Sequence, residues 1–87
     1  MDFTEVWSRI ASHVGEEFTQ ILGGTFRYSL VGSSLLPDRT NRLLPKAQFE
    51  KALCLVPFRS TTELQQFQGP SYIYAILMDP RIRRGDW

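Results

Sequence analysis

The sequence predicts an α+β fold: an N-terminal helix, a β-hairpin or small three-stranded antiparallel sheet, then three short C-terminal helices. Three observations predict it. Apolar residues recur at helical spacing near the start, the pattern shifts to period two around Gly23-Gly24, and helical stripes return after Pro45. The 87 residues are 43% hydrophobic and 13% aromatic, with a formal net charge of +1. That length buries one modest core and not two, and the composition is the reverse of a disordered chain's low hydrophobicity and high charge. Residues 1–87 are therefore expected to form a single compact domain.

Phe3, Val6, Trp7, Ile10, Ala11 and Val14 follow the i, i+3, i+4, i+7 spacing of one helical face and predict a helix over 3–14. Asp2 stands at the N-cap with Glu5 three positions on, and Gly15 closes the helix. Phe18, Gln20 and Leu22 then alternate along one strand, and Phe26, Tyr28 and Leu30 along another. Gly23-Gly24 between them suits a two-residue type I′ turn, giving a hairpin over about 17–32, with a continued helix through Leu22 as the competing reading. The turn formers Gly32-Ser33-Ser34 and Pro37-Asp38-Arg39-Thr40-Asn41, beside Leu35-Leu36 and Leu43-Leu44, suggest a third strand or a second small hairpin.

Pro45 suits the first turn of a helix over 45–56, whose apolar face is Phe49, Ala52, Leu53 and Val56 before Pro57 stops it. Ser60 and Glu63 have capping-box spacing and open a short helix through Leu64 and Phe67 toward Gly69. Pro70 opens the last helix, 70–78, which Asp79 ends because a residue before proline is disfavoured from helical geometry. Residues 81–87 read as a flexible basic tail ending in Trp87. The expected core is Trp7, Ile10, Phe26, Tyr28, Leu30, Phe49, Leu53, Leu64, Ile73 and Ile76.

No catalytic apparatus is visible. His13 stands apart from any metal-type spacing, Glu16 and Glu17 point to opposite faces if extended, and Gly23-Gly24 lacks the partners of a phosphate loop. Cys54 reads as a small buried thiol in an apolar helix. The expectation is a protein that is not an enzyme, with no cofactor and no metal. One cysteine allows no internal disulfide, which points to a reducing, cytoplasmic setting. No run approaches about 18 apolar residues, and the start, with Asp2 and Glu5, lacks a basic leader, so neither a membrane partner nor targeting is expected.

Charge is unevenly placed. Residues 1–23 carry Arg9 against Asp2, Glu5, Glu16 and Glu17, a net of −3. Residues 24–59 carry Arg27, Arg39, Arg42, Lys46, Lys51 and Arg59 against Asp38 and Glu50, a net of +4, and the remainder balances. Arg27 falls opposite the Phe26-Tyr28-Leu30 face, where it can join Arg39 and Arg42 in an anion-facing patch. The segment Thr61–Leu77, 17 of the 87 residues, resembles a helix-turn-helix motif: two short amphipathic helices joined through Gly69. It departs from that motif at Gln65, where a small residue is usual, and in having no cation on the second helix. The resemblance implies groove contact by Ser71, Tyr72 and Tyr74.

The functional expectation is a small non-catalytic binding module for nucleic acid, DNA in the first instance. Arg27, Arg39, Arg42, Lys46 and Lys51 would contact phosphate, and Ser71, Tyr72 and Tyr74 the groove. The alternative is a protein-interaction or homodimerisation module using an exposed aromatic patch of Phe58, Tyr72, Tyr74 and Trp87.

Overall fold

The computed structural model describes residues 2–87. Helix α1 (Phe3–Ser12) is followed by β1 (Phe18–Thr19), β2 (Thr25–Phe26), β3 (Tyr28–Val31), β4 (Ser34–Pro37) and β5 (Leu44–Pro45). Helix α2 (Lys46–Leu53), a 3₁₀ turn (Thr61–Leu64), α3 (Pro70–Leu77) and α4 (Pro80–Arg83) complete the chain. The α+β class and the broad order, helix, then strands, then short helices, are those the sequence predicts; the five strands in two sheets and the helix α4 within the expected tail are not.

The α1 start is capped by Asp2, whose Oδ1 accepts the Thr4 N–H at 3.0 Å, satisfying one of the free amides of a first helical turn. Beyond the helix, the Gly15 N–H is drawn across to the Tyr28 carbonyl at 3.1 Å. The buried Tyr28 hydroxyl donates to the Ile10 carbonyl at 2.6 Å, so α1 and β3 are tied twice. Burial pushes the Tyr28 phenol well above its ordinary pKa and keeps it a donor.

The sheet differs from one continuous hairpin. β1 pairs antiparallel with β2 in the register Phe18↔Phe26, and β3 pairs with β4, which pairs with β5. The strand from Thr25 to Val31 thus changes partner at Arg27. Asp38 fixes the change: its N–H donates to the Arg27 carbonyl at 2.8 Å while its Oδ1 accepts the Arg27 N–H at 3.1 Å. The turn between β1 and β2 also corrects the two-residue expectation. Gln20 N–H donates to the Gly24 carbonyl at 2.6 Å and Gly23 N–H to the Gln20 carbonyl at 2.8 Å. That closes a loop of Ile21, Leu22 and Gly23, with Gly23 at φ 98°, the geometry of a three-residue hairpin loop in which the positive φ falls on one glycine and not two.

Pro45 likewise belongs to the sheet instead of the first turn of α2. It lies opposite Ser34, and the Lys46 N–H still reaches back to the Ser33 carbonyl at 2.9 Å. Helix α2 ends at Leu53, leaving Cys54 exposed at its C-terminus, against the expectation of a buried thiol. The Glu63 carboxylate accepts the Ser60 N–H at 3.1 Å, one half of the reciprocal cap that the Ser60/Glu63 spacing predicts.

Helix α3 is the centre of the molecule. Ile73, Ile76 and Leu77 are fully buried, and none of its eight residues is exposed. The sheet meets it where β5 passes Gly69. A methyl group added there would stand 3.0 Å from Leu44 Cδ2, and φ is 63°, so glycine is needed for both space and backbone. The core combines Val6, Ile10, Phe18, Phe26, Tyr28, Leu35, Leu44, Phe49, Leu64, Ile73 and Ile76 with Phe58 and Ile82. Trp7, Leu30 and Leu53 flank it half-buried instead of sitting within it. Among the described residues no helix is long and apolar enough to cross a membrane.

Residues 81–87 are not a free tail. Ile82 is fully buried, and the Trp87 indole donates to the Leu77 carbonyl at 2.7 Å. The Arg9 guanidinium, 8% exposed, donates to the Ile82 carbonyl at 2.8 Å and pairs with Asp86 at 2.6 Å. Urea unfolding of two variants checks this core assignment. Ile76→Val is expected to cost about 0.5–1.5 kcal/mol as a buried methyl deletion, whereas Leu22→Ala, at a position 96% exposed, is expected within about 0.5 kcal/mol of the parent.

Candidate nucleic-acid interface

The eight residues singled out in the sequence do not gather into one surface: Arg39 and Arg42 share a connection, Arg27, Lys46 and Lys51 each lie elsewhere, and Ser71, Tyr72 and Tyr74 lie on α3. Arg39 and Arg42 lie on the exposed β4–β5 connection that Asp38 opens. Thr40 N–H donates to the Pro37 carbonyl at 3.4 Å, and Thr40 Oγ1 accepts the Arg42 N–H at 3.2 Å. These bonds fold the connection back on itself, and Thr40, Asn41 and Arg42 line a shallow polar depression of about 370 Å³. The Arg39 guanidinium lies along Gly24, where a Cβ would stand 2.8 Å from its Nη1, and donates to the Thr25 carbonyl at 3.4 Å. Gly24 thus makes the room in which Arg39 crosses to β2.

Lys46 and Lys51 do not share a face of α2. Five residues at about 100° each place them about 140° apart around the axis. Lys46 Nζ stands 5.6 Å from the Trp7 ring centroid, toward α1. Lys51 lines a groove of about 440 Å³ with Gln48, Leu55, Gln66 and Phe67. Arg27 is exposed on the face opposite Phe26 and Tyr28, as the strand alternation requires, but its guanidinium is engaged: Nη1 donates to the Gly15 carbonyl and Nη2 lies 3.8 Å from Glu17. The anticipated five-cation patch is therefore centred on two.

Ser71, Tyr72 and Tyr74 lie along α3, and all three are half-buried. Ser71 Oγ accepts from Gln20 Nε2 at 2.9 Å. The Tyr72 ring meets Phe26 edge-on at 4.9 Å between centroids, and Tyr74 lies 6.0 Å from Phe58. Helix α3, which the helix-turn-helix resemblance makes the groove reader, is buried or half-buried along its whole length and presents no exposed residue. The aromatic patch of the interaction reading is also not formed, because Phe58 is buried and Trp87 is pinned by its indole bond to Leu77.

The strongest electrostatic cluster is one that the sequence reading passed over. Arg81 binds Asp79 through two parallel bonds, Nε to Oδ1 and Nη2 to Oδ2, each 2.9 Å, the bidentate geometry that suits a guanidinium. It also reaches Glu16 at 3.1 Å and the Glu17 carbonyl at 2.9 Å, and its Cζ lies 3.9 Å from the Phe18 ring centroid. His13 pairs with the second oxygen of Glu16 at 2.9 Å. The Asp79 and Arg81 positions carried a signal in Asp-Pro-Arg, an N-cap followed by proline at N1, and Asp79 Oδ1 does accept the Arg81 N–H at 2.8 Å. The distant partners, 64 and 65 residues away, carried none.

Burial works to raise the Asp79 carboxyl, but its bonds from Arg81 outweigh this and hold it below its ordinary value. The hydrogen bond to His13, then the one to Arg81, holds Glu16 low despite some desolvation. The Arg81 guanidinium is raised, chiefly by its bond to Asp79. These are ion pairs at the base of α4, and Asp79 also lines a depression of about 220 Å³ with Thr19, Ile21, Tyr74 and Met78. Among the described residues no three His, Cys, Asp or Glu side chains gather to hold a metal ion. No protein-family model, curated protein or solved structure matches the chain.

The lowered carboxyls define a pH dependence. A group whose folded pKa lies below its unfolded value, near 4 for Asp and Glu, contributes stability above that value and loses it as pH falls through the folded pKa. Asp79→Asn keeps a capping side chain but removes the charge. It is expected to lower stability by up to about 1 kcal/mol near neutrality, with the difference from the parent closing as pH falls below about 4. Thermal unfolding as a function of pH measures it.

Proposed function

We propose that this domain is a non-catalytic binding module, and that the partner it meets through Arg39 and Arg42 is the phosphate backbone of a nucleic acid. One observation supports the reading above the others. Arg9, Arg27 and Arg81 each have a carboxylate partner, whereas among the described residues Arg39 and Arg42, like Lys46, Lys51 and Arg59, have none, and Arg39 and Arg42 are the two that share one short connection. Both stand exposed on one short connection beside a hydroxyl and an amide. Arginine, threonine and asparagine are the side chains that donate to phosphate oxygens, and a guanidinium presents paired donors to them. Lys46, next along the chain, can extend the contact if it leaves the Trp7 ring. A reducing, cytoplasmic setting accords with the exposed free thiol of Cys54.

A second reading rests on a different observation. The β1–β2 loop exposes Ile21 and Leu22, which are 50% and 96% accessible, at the edge of a depression of about 160 Å³ lined by Gln20, Thr61 and Ser71. An apolar loop tip beside a pocket favours a protein partner.

A titration of labelled duplex DNA across a salt series separates the two. Two or three phosphates neutralised give log affinity a slope of about −2 to −3 against log salt. Arg39→Glu with Arg42→Glu is expected to abolish the binding, and Leu22→Ser to leave it unchanged. Absence of binding at low salt, or binding indifferent to the double charge reversal, contradicts the proposal.

A further inference from the structure

We infer that the nucleic acid this surface takes is the double helix, gripped by its backbone and without sequence readout; this rests on the phosphate-contact reading above. Two features of the structure bear on it. The first is the fate of the aromatic side chains. Phe18, Phe26, Tyr28, Phe49 and Phe58 are buried, and Phe3, Trp7, Phe67, Tyr72, Tyr74 and Trp87 are half-buried against the core, so not one is exposed. Single-strand binders hold their ligand by stacking bases on exposed aromatic faces, and this surface offers none.

The second is that Arg39 and Arg42 sit on a connection and not on α3. Direct readout needs side chains carried into the major groove on a helix or ribbon. Helix α3 has no exposed residue, Ser71 Oγ already accepts from Gln20, and the Tyr72 ring packs edge-on against Phe26. The exposed donors near Arg39 and Arg42 lie on a folded-back connection of six residues, 38–43, between β4 and β5. Such a connection reaches phosphate and sugar, contacts that set position and carry no sequence information.

What remains is attraction to charge, and charge density then decides between nucleic acids. A duplex presents one phosphate per about 1.7 Å of axis, about twice the density of one of its strands. A surface that binds by charge alone, with no stacking to compensate, prefers the duplex.

The test titrates the intact domain at low salt with two DNA duplexes of unrelated sequence and with one of the component single strands, while amide shifts are followed by NMR. The inference expects the two duplexes to bind within about twofold of each other, the single strand to bind several-fold more weakly, and shifts at residues 39–42 with those of 71–76 unmoved. Tighter binding of the single strand, a difference above about tenfold between duplexes, or shifts centred on α3 would overturn the inference while leaving phosphate contact standing. No binding of any probe would overturn both, and the unperturbed spectrum would show that the domain tested was folded.

Discussion

Arg9 is a cation that the fold has taken out of water, and residues 82–86 are arranged around it. One Nη donates to the buried Ile82 carbonyl, the other pairs with Asp86, and Nε has no partner among the described residues. Burying a guanidinium is costly unless its donors are met. The partners come from residues that α4 and the segment after it supply, so the folding of α1 and the docking of that segment are coupled. Helix α4 has only four residues and cannot persist alone. It is held from three sides, by Arg9 on α1, by Ile82 in the core and by Arg81 against the 16–18 stretch.

This arrangement also decides which charges are left for a partner. Glu16, Glu17, Asp79 and Asp86 are committed to Arg9, Arg27 and Arg81, and Asp38 and Glu63 accept backbone N–H groups. Arg39 and Arg42, outside this network, are exposed without an opposing carboxylate among the described residues. A net charge of +1 conceals this, because the acidic residues are largely used inside the fold and the cations of the β4–β5 connection are not. The proposed function follows from that division of charge and not from the total.

Local patterns carried most of the fold into the sequence. The Asp2 cap, the helical stripe of Val6 and Ile10, the alternation of Phe26 and Tyr28 against Arg27 and Ser29, and the break at Asp79-Pro80 are all decided within a few residues. The features that escaped were decided by partners far along the chain. Nothing near Arg9 says that its guanidinium will meet Asp86, and nothing near Arg81 names Glu16. The tail consequently read as loose and basic. Helix α3 misled in a related way: its outward-looking polar residues, Ser71 and Tyr72, are met by Gln20 and Phe26 from the β1–β2 hairpin, which a pairwise helical reading leaves out. At the site, Arg39 and Arg42 were legible as a turn rich in cations, while the capture of Arg27 by Glu17 and the divergence of Lys46 and Lys51 required the fold.

A buried guanidinium, more than the packing of Ile82, is expected to hold α4 and the residues that follow it. Arg9→Met keeps most of the side-chain length and removes the donors, leaving the Ile82 carbonyl buried and unmet. Native-state hydrogen exchange reads the segment directly through the Arg83 and Arg84 amides, which close onto Asp79 and Pro80. The account predicts that Arg9→Met costs about 1.5–3 kcal/mol, the scale of hydrogen bonds to a charged donor, and that these two amides lose protection before the amides of α3. Protection and stability equal to or above those of the parent, the usual result when well-packed apolar groups replace a buried ion pair, would contradict it and assign the anchoring to Ile82.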